Sequence, residues 1–358
     1  MKILKIFVIE MLFATVIFTS CTKEEDYAVA KKDVYIAGYE IYAQGIEVAT
    51  LWKNGVAQRL NVETGTKYDG YANSVYVSDN DVYVAGTIDY TAILWKNGVA
   101  QKLTDGTNFA GANSVYVAGS DVYVAGWEDF NRTDTFPVLT YTAPRLWKNG
   151  ESQKLNYGNT AHALSVYVSN NDVYVVGWED GDMAVVIAKL WKNGESQNLT
   201  TAEETNFATA NSVYVSGSDV YVAGNILYKA GNIQNSQSIY IAVLWKNGKI
   251  EKLTDGATAA FANSVYVSGS DVYVAGYELN AKNNSVATLW KNGIVQKLTD
   301  GATNACANSI YVSNNEVYVA GYEYNAENNS VPTLWKNGEA QRITDGKSMA
   351  EAMSVFVK

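Results

Sequence analysis

Residues 262 to 298 begin Ala262-Asn263-Ser264-Val265-Tyr266-Val267 and, after Ser-Gly-Ser, continue Asp271-Val272-Tyr273-Val274-Ala275-Gly276-Tyr277-Glu278. They close with Leu289-Trp290-Lys291-Asn292-Gly293 and a run from Ile294 to Leu298. Each piece returns along the chain. The Trp of Leu-Trp-Lys-Asn-Gly stands at Trp52, Trp95, Trp147, Trp191, Trp245, Trp290 and Trp335, at intervals of 43, 52, 44, 54, 45 and 45 residues. The glycine after Val-Tyr-Val falls at Gly38, Gly86, Gly126, Gly177, Gly224, Gly276 and Gly321, the first copy reading Val-Tyr-Ile. The Ser-Val-Tyr-Val string starts at Ser74, Ser114, Ser165, Ser212 and Ser264 and, as variants, at Ser309 and Ser354. A period of roughly 40 to 50 residues is that of propeller blades.

Each unit reads as four strands. In the sixth these are a (Ser264 to Val267), b (Asp271 to Gly276), c (Ala287 to Trp290) and d (Ile294 to Leu298), with tight turns between a and b and between c and d. Strands a and b carry Val-Tyr-Val without polar alternation, so both faces of the sheet must be covered, which blade-on-blade stacking achieves. A β-helix would repeat at shorter period, and a two-sheet sandwich would show polar outer faces. The C-terminal Ser354-Val355-Phe356-Val357 is a strand a with no strand b behind it, while the first strand b, Asp33 to Gly38, follows only a poor match at Tyr27 to Ala30. The fold predicted is therefore all-β: a seven-bladed β-propeller of four-stranded antiparallel blades, closed by the C-terminal strand.

Composition agrees. A chain of 358 residues that is 47% hydrophobic and 18% charged is not disordered, and its net charge of −10 argues against nucleic acid. Twenty-six Tyr, 28 Gly and 9 Trp against 3 Pro favour short aromatic-rich strands with glycine turns. One His and two Cys leave little for a His-rich metal site, a zinc ribbon or a disulfide scaffold, and no cofactor or metal is expected. His162 has no partner pattern around it, and Cys306 aligns with Phe261 and reads as a packing residue. There is no P-loop, nucleotide fingerprint or basic patch.

The N-terminus carries Lys2 and Lys5, an apolar stretch to Phe18 interrupted by Glu10, then Thr19-Ser20-Cys21. This reads as a signal peptide over 1–20. Phe18-Thr19-Ser20-Cys21 resembles a bacterial lipobox, which implies diacylation of Cys21. Thr22-Lys23-Glu24-Glu25-Asp26 resembles the lysine-plus-acids signal that sends some Gram-negative lipoproteins to the outer face of the outer membrane. The alternative is a plain secretory signal with Cys21 incidental. On the first reading 1–20 is removed, 21–26 is a lipidated tether and 27–358 is the propeller. Loss of Lys2, Lys5 and Glu10 takes the formal charge from −10 to −11, so membrane attachment rests on acyl chains alone. The repeat itself resembles the extracellular HAF-type propeller repeat, and less closely the bacterial SBBP type, with Ala-Thr-Leu at 287–289 where the HAF type has His-Ala-Phe. That resemblance implies a secreted or surface propeller without a defined activity.

The a–b and c–d turns share one end of a blade and are nearly invariant, whereas the b–c and d–a connections share the other end and hold the length variation, above all at 129–144 and 225–242. The variable end is the candidate binding face. An aromatic followed by an acid recurs after the strand b glycine: Tyr39-Glu40, Trp127-Glu128, Trp178-Glu179, Tyr277-Glu278 and Tyr322-Glu323. A ring beside a carboxylate suits a sugar; the bland alternative is that the rings cover blade edges and the acids cap loops. The seven repeated tryptophans read as core wedges. The function expected is a non-enzymatic surface module, monomeric, binding carbohydrate, with protein scaffolding as the alternative and a carbohydrate-active enzyme as the weaker one.

Overall fold

The computed structural model describes residues 32–358 apart from 43–44, 61–68, 133–138, 183–184, 202–204 and 230–237. The signal peptide, Cys21, the tether and Tyr27 to Ala30 lie outside the described residues. Seven four-stranded antiparallel sheets form the ring. Blade 6 is typical: strand a is Ala260–Ser268, b is Asp271–Leu279, c is Ser285–Lys291 and d is Ile294–Lys297. Blade 1 takes its strand a from the C-terminus. Ala350–Val357 pairs with Val34–Ile41, with Val357 opposite Val34 and Ala350 opposite Glu40. The ring closes as predicted, and strand 350–357 then packs against strand a of blade 2, Gly70–Ser78.

The long b–c connections are less loop-like than the sequence suggested. Strand b of blade 3 runs Asp121–Arg132 and pairs with Leu139–Lys148, so much of 129–144 is a hairpin projecting past the sheet. Blade 5 does the same with Asp219–Lys229 and Ser238–Lys246. The ladder persists because backbone amides in such an extension pair with each other.

Both faces of each sheet are apolar, and each is buried against a neighbour. The seven hydrophobic clusters therefore lie between blades: Tyr273, Ala275 and Leu289 of blade 6, for example, meet Ile310, Val312 and Trp335 of blade 7. Each repeated tryptophan is at most 2% exposed and lies in the cluster shared with the preceding blade. Two make a visible link backwards, Trp95 donating to the Leu60 carbonyl at 3.0 Å and Trp191 to that of Asn156 at 2.7 Å. Strand d is four residues or fewer and mostly exposed, which limits edge-to-edge pairing.

Hydrogen bonds complete the stacking. In every blade the strand a serine accepts from a strand a amide of the next blade, at 3.1 to 3.3 Å; Ser264 takes Ile310 N–H, and Ser354 takes Val75 N–H across the seam. One residue before that serine, strand a bulges opposite the strand b glycine. A Cβ on Gly276 would stand 1.9 Å from the Phe261 carbonyl oxygen, and the other six glycines are equally tight at 1.8 to 2.0 Å. The bulged residue is Asn in five blades, and its side chain donates to a carbonyl of the next blade, as Asn263 does to Ala307 at 3.1 Å. Glycine, bulge and crossing amide are one device.

At the invariant end the Lys-Asn-Gly turns place Asn292 and Gly293 at φ 50° and 77°, as a two-residue hairpin requires. The carboxylate heading strand b grips that turn. Asp271 pairs with Lys291 at 2.7 Å and accepts from Asn292 at 2.8 Å, while Asn292 accepts the Val272 N–H. These aspartates thus bond across to the c–d turn. The same clasp holds in six blades, and Glu316 with Lys336 supplies the seventh. Above the clasps Tyr76, Tyr116, Tyr167, Tyr214, Tyr266, Tyr311 and Phe356 form a closed ring, centroids 4.7 to 5.0 Å apart. Burial raises the phenol pKa of Tyr76, Tyr167 and Tyr266.

Two outcomes follow. Gly276→Ala must displace backbone, and a loss of about 3–5 kcal/mol in denaturant unfolding is expected. The bonds from Lys291, then Asn292, hold the Asp271 carboxyl below the usual carboxylate range. A depressed folded pKa stabilises above the unfolded value of about 3.9 and loses that stability as pH falls through the folded one. The Tm deficit of Asp271→Asn relative to the parent should therefore be present at pH 7 and shrink progressively as pH falls below about 3.9.

Candidate functional site

Strand a enters each blade from the variable end, and the first side chain there lies between two alanines, Gly70 replacing one in blade 2. That position holds seven different residues: Tyr71, Gly111, His162, Thr209, Phe261, Cys306 and Glu351. The ring of Tyr76 and its equivalents sits five residues further along the same strands, about 16 Å away. Across the ladder, each variable residue faces the one after the strand b glycine. Tyr39 opposes Glu351, Trp127 opposes Gly111, Trp178 opposes His162, Tyr277 opposes Phe261 and Tyr322 opposes Cys306.

Rings from adjacent blades meet around this end of the axis. Tyr39 touches Tyr71 edge-on at 5.2 Å, and Phe261 stacks on Tyr277 at 4.8 Å and nears Tyr240 at 5.1 Å. His162 lies between two indoles, 5.3 Å from Trp127 and stacked at 4.4 Å on Trp178. Burial lowers its pKa, with the Asp129 charge opposing. All of these rings are half-buried. No Lys or Arg occupies any of the fourteen positions of the belt.

The acids of the recurrent pairs face the other way, because neighbouring strand residues point to opposite sides of a sheet. Glu128 pairs with Arg145 at 2.8 Å, and Glu40 accepts from Tyr42, whose hydroxyl in turn accepts from Arg59 at 2.6 Å. Glu278 binds Lys297 and Thr258. Glu179 is the most enclosed, 7% exposed, 2.6 Å from Lys189 and accepting from the Gly158 and Asn159 amides of the arriving d–a segment. Glu323 has no ion pair or side-chain hydrogen bond among the described residues. The structure thus brings the rings together and separates them from their adjacent carboxylates.

Another pair of acids does converge on the belt. Glu351 is bonded by the Tyr39 and Ser330 hydroxyls, and Glu47 by that of Tyr71. Burial, and the charge of Glu47, raise the Glu351 pKa; burial, then Asp69, raise that of Glu47. Sequence reading missed Glu351 and the pairing of His162. Their signal was the disagreement of seven otherwise similar repeats at one alanine-flanked position. Cys306 is buried, and burial pushes its thiol up to about 12, so thiolate chemistry is closed to it.

Three other blades place Thr50, Thr288 and Thr333 where blade 4 has Lys189. Glu179→Ala leaves Lys189 enclosed without its counter-charge and should cost about 3–5 kcal/mol, whereas Glu179→Gln with Lys189→Thr should recover most of it in the same unfolding measurement.

No known family model matches the chain, and no curated protein is similar to it in sequence. Solved structures are similar in fold. A puromycin-hydrolysing peptidase of Mycobacterium tuberculosis aligns at a TM-score of 0.58 and 9% identity over 88% of this chain and 52% of the peptidase. A puromycin hydrolase aligns at 0.57 and 9% over the same shares. This chain spans about half the length of each. The propeller domain of the Trilobed protease from Pyrococcus furiosus, described as having an open velcro topology, aligns at 0.56 and 10% over 88% of this chain and 93% of that one. Likeness at these identities is one of architecture: the chain is an all-β, seven-bladed propeller sealed by its last strand.

Proposed function

We propose that the protein is a non-enzymatic binding module, carried on the outer membrane by lipid on Cys21, that takes neutral carbohydrate at the variable end of the propeller axis. The observation that carries this reading is the belt itself. One position per blade varies freely within near-identical repeats, and it is set among half-buried rings with hydroxyl and carboxylate groups and no Lys or Arg at its fourteen ladder positions. Ring faces pack against sugar C–H groups, and the polar groups bond hydroxyls. Blades 3 and 4 supply the belt's two tryptophans, Trp127 and Trp178, with His162 between them.

Glycan-array screening followed by calorimetry of the full chain tests it. Trp127→Ala with Trp178→Ala should weaken a saturable neutral-glycan hit by about tenfold or more, and unchanged affinity would sink the reading. Cys21→Ser should move the protein from the membrane to the soluble fraction. A second reading, a carbohydrate-active enzyme, draws on Glu351 and Glu47, two carboxyls of raised pKa bonded by Tyr39 and Tyr71, with the Glu47 charge contributing to the shift of Glu351. Glycan hydrolysis by the parent that Glu351→Gln abolishes would favour it over binding alone.

A further inference from the structure

Sixteen non-glycine residues among those described have positive φ, and fifteen are Asn or Asp. The sixteenth is Tyr90, at φ 59°. It occupies the second position of the two-residue b–c turn of blade 2, between the paired Ile88 and Thr91, after Asp89 at φ 45°. A left-handed backbone suits Gly or Asn there and strains a bulky residue. At every other such place among the described residues the chain uses Gly, Asn or Asp, and it departs from that here.

The departing side chain is not spent on packing. Tyr90 is 58% exposed, and its ring lies 4.6 Å from that of Phe109, which is also 58% exposed. Their backbones are tied down. The Tyr90 carbonyl accepts from the Ala110 N–H at 2.6 Å, the Asp89 amide donates to the Asp69 carbonyl, and the Phe109 carbonyl, at the entry to blade 3, accepts from the Asp129 amide of that blade. Exposed Asp89 and half-buried Asn108 flank the rings. No Lys or Arg lies within four residues of either ring along the chain. Of the other exposed large apolar side chains among the described residues, Val56, Val99, Ile294 and Val295 are aliphatic and lie on strands d, away from the variable end, and Tyr157, in the d–a segment before blade 4, is less exposed and has no exposed ring beside it.

We infer that Tyr90 and Phe109 form a second carbohydrate platform on the variable face, displaced from the axis on blade 2, with backbone strain retained to present the Tyr90 ring. Exposed rings pre-set by backbone bonds lose little entropy on stacking against a sugar. The flanking carboxylate and amide accept from and donate to hydroxyls, and the exposed Asp89 charge disfavours uronate-rich chains against neutral ones. This inference rests on the reading of the chain as a glycan binder but concerns a different site.

The test uses the full chain in detergent with Tyr90→Asn, Phe109→Ala and the pair Trp127→Ala/Trp178→Ala, titrated with soluble starch, xylan, mannan and mixed-linkage glucan, and with alginate as the anionic control. Tyr90→Asn and Phe109→Ala should each weaken binding to a neutral polysaccharide by about tenfold. Tyr90→Asn should also raise Tm by about 1–3 °C, since Asn fits the left-handed turn. Binding lost only in the tryptophan pair overturns the platform and leaves the axial site standing. A parent that binds none of the neutral polysaccharides overturns both. Preference for alginate, capture of a protein through Tyr90, or a lowered Tm in Tyr90→Asn overturns the platform as argued.

Discussion

A four-stranded sheet with Val-Tyr-Val on two adjacent strands has two apolar faces and no means of covering either by itself. Stability must come from neighbours, and the molecule depends on the contact each blade makes with the next. The hydrophobic clusters lie at those contacts and the repeated tryptophans are sealed within them. The serine hydroxyls then set the register of one blade against another, since each accepts an amide from a strand that belongs to a different sheet. Seven such bonds around a circle leave no terminal blade with a bare face.

The strand b glycine shows how closely local and global structure are tied. Its missing side chain admits a carbonyl of strand a, which lets that strand bulge and turns an asparagine towards the next blade. Two blades break this pattern, with Leu164 and Met353 at the bulge, yet keep the glycine and the serine bond. The bulge is therefore the essential part, and the crossing amide is an addition to it.

Much of this was legible in the sequence. Trp290, Gly276 and the Asn292-Gly293 turn recur at fixed spacing, and repetition turns a weak local signal into a fold. The serine bonds were not legible, because a hydroxyl's partner in another repeat leaves no trace in spacing. Nor was the split of Trp127 from Glu128: adjacent letters suggest one surface, while strand geometry sends them to opposite sides. Glu351 and His162 were hidden by looking for agreement among repeats, when the informative position was the one where they disagree. Tyr90 could have been found. A two-residue link between Ile88 and Thr91 demands left-handed backbone, and a tyrosine there conflicts with that demand.

The seam also governs assembly. The strand that seals the ring, Ala350–Val357, copies six others in the same chain and is joined to its sheet by hydrogen bonds and packing alone. Until strand 350–357 is in place blade 1 exposes an unpaired edge, and any neighbouring unfolded copy carries strands of almost the same shape. Exchange between molecules is the characteristic failure of such a design. The seam differs from the other six joints by Phe356 in place of tyrosine, and it shares with blade 4 the loss of the bulge asparagine, here to Met353. Phe356 is thus the one letter of the inner ring that tells the sealing strand from its six copies.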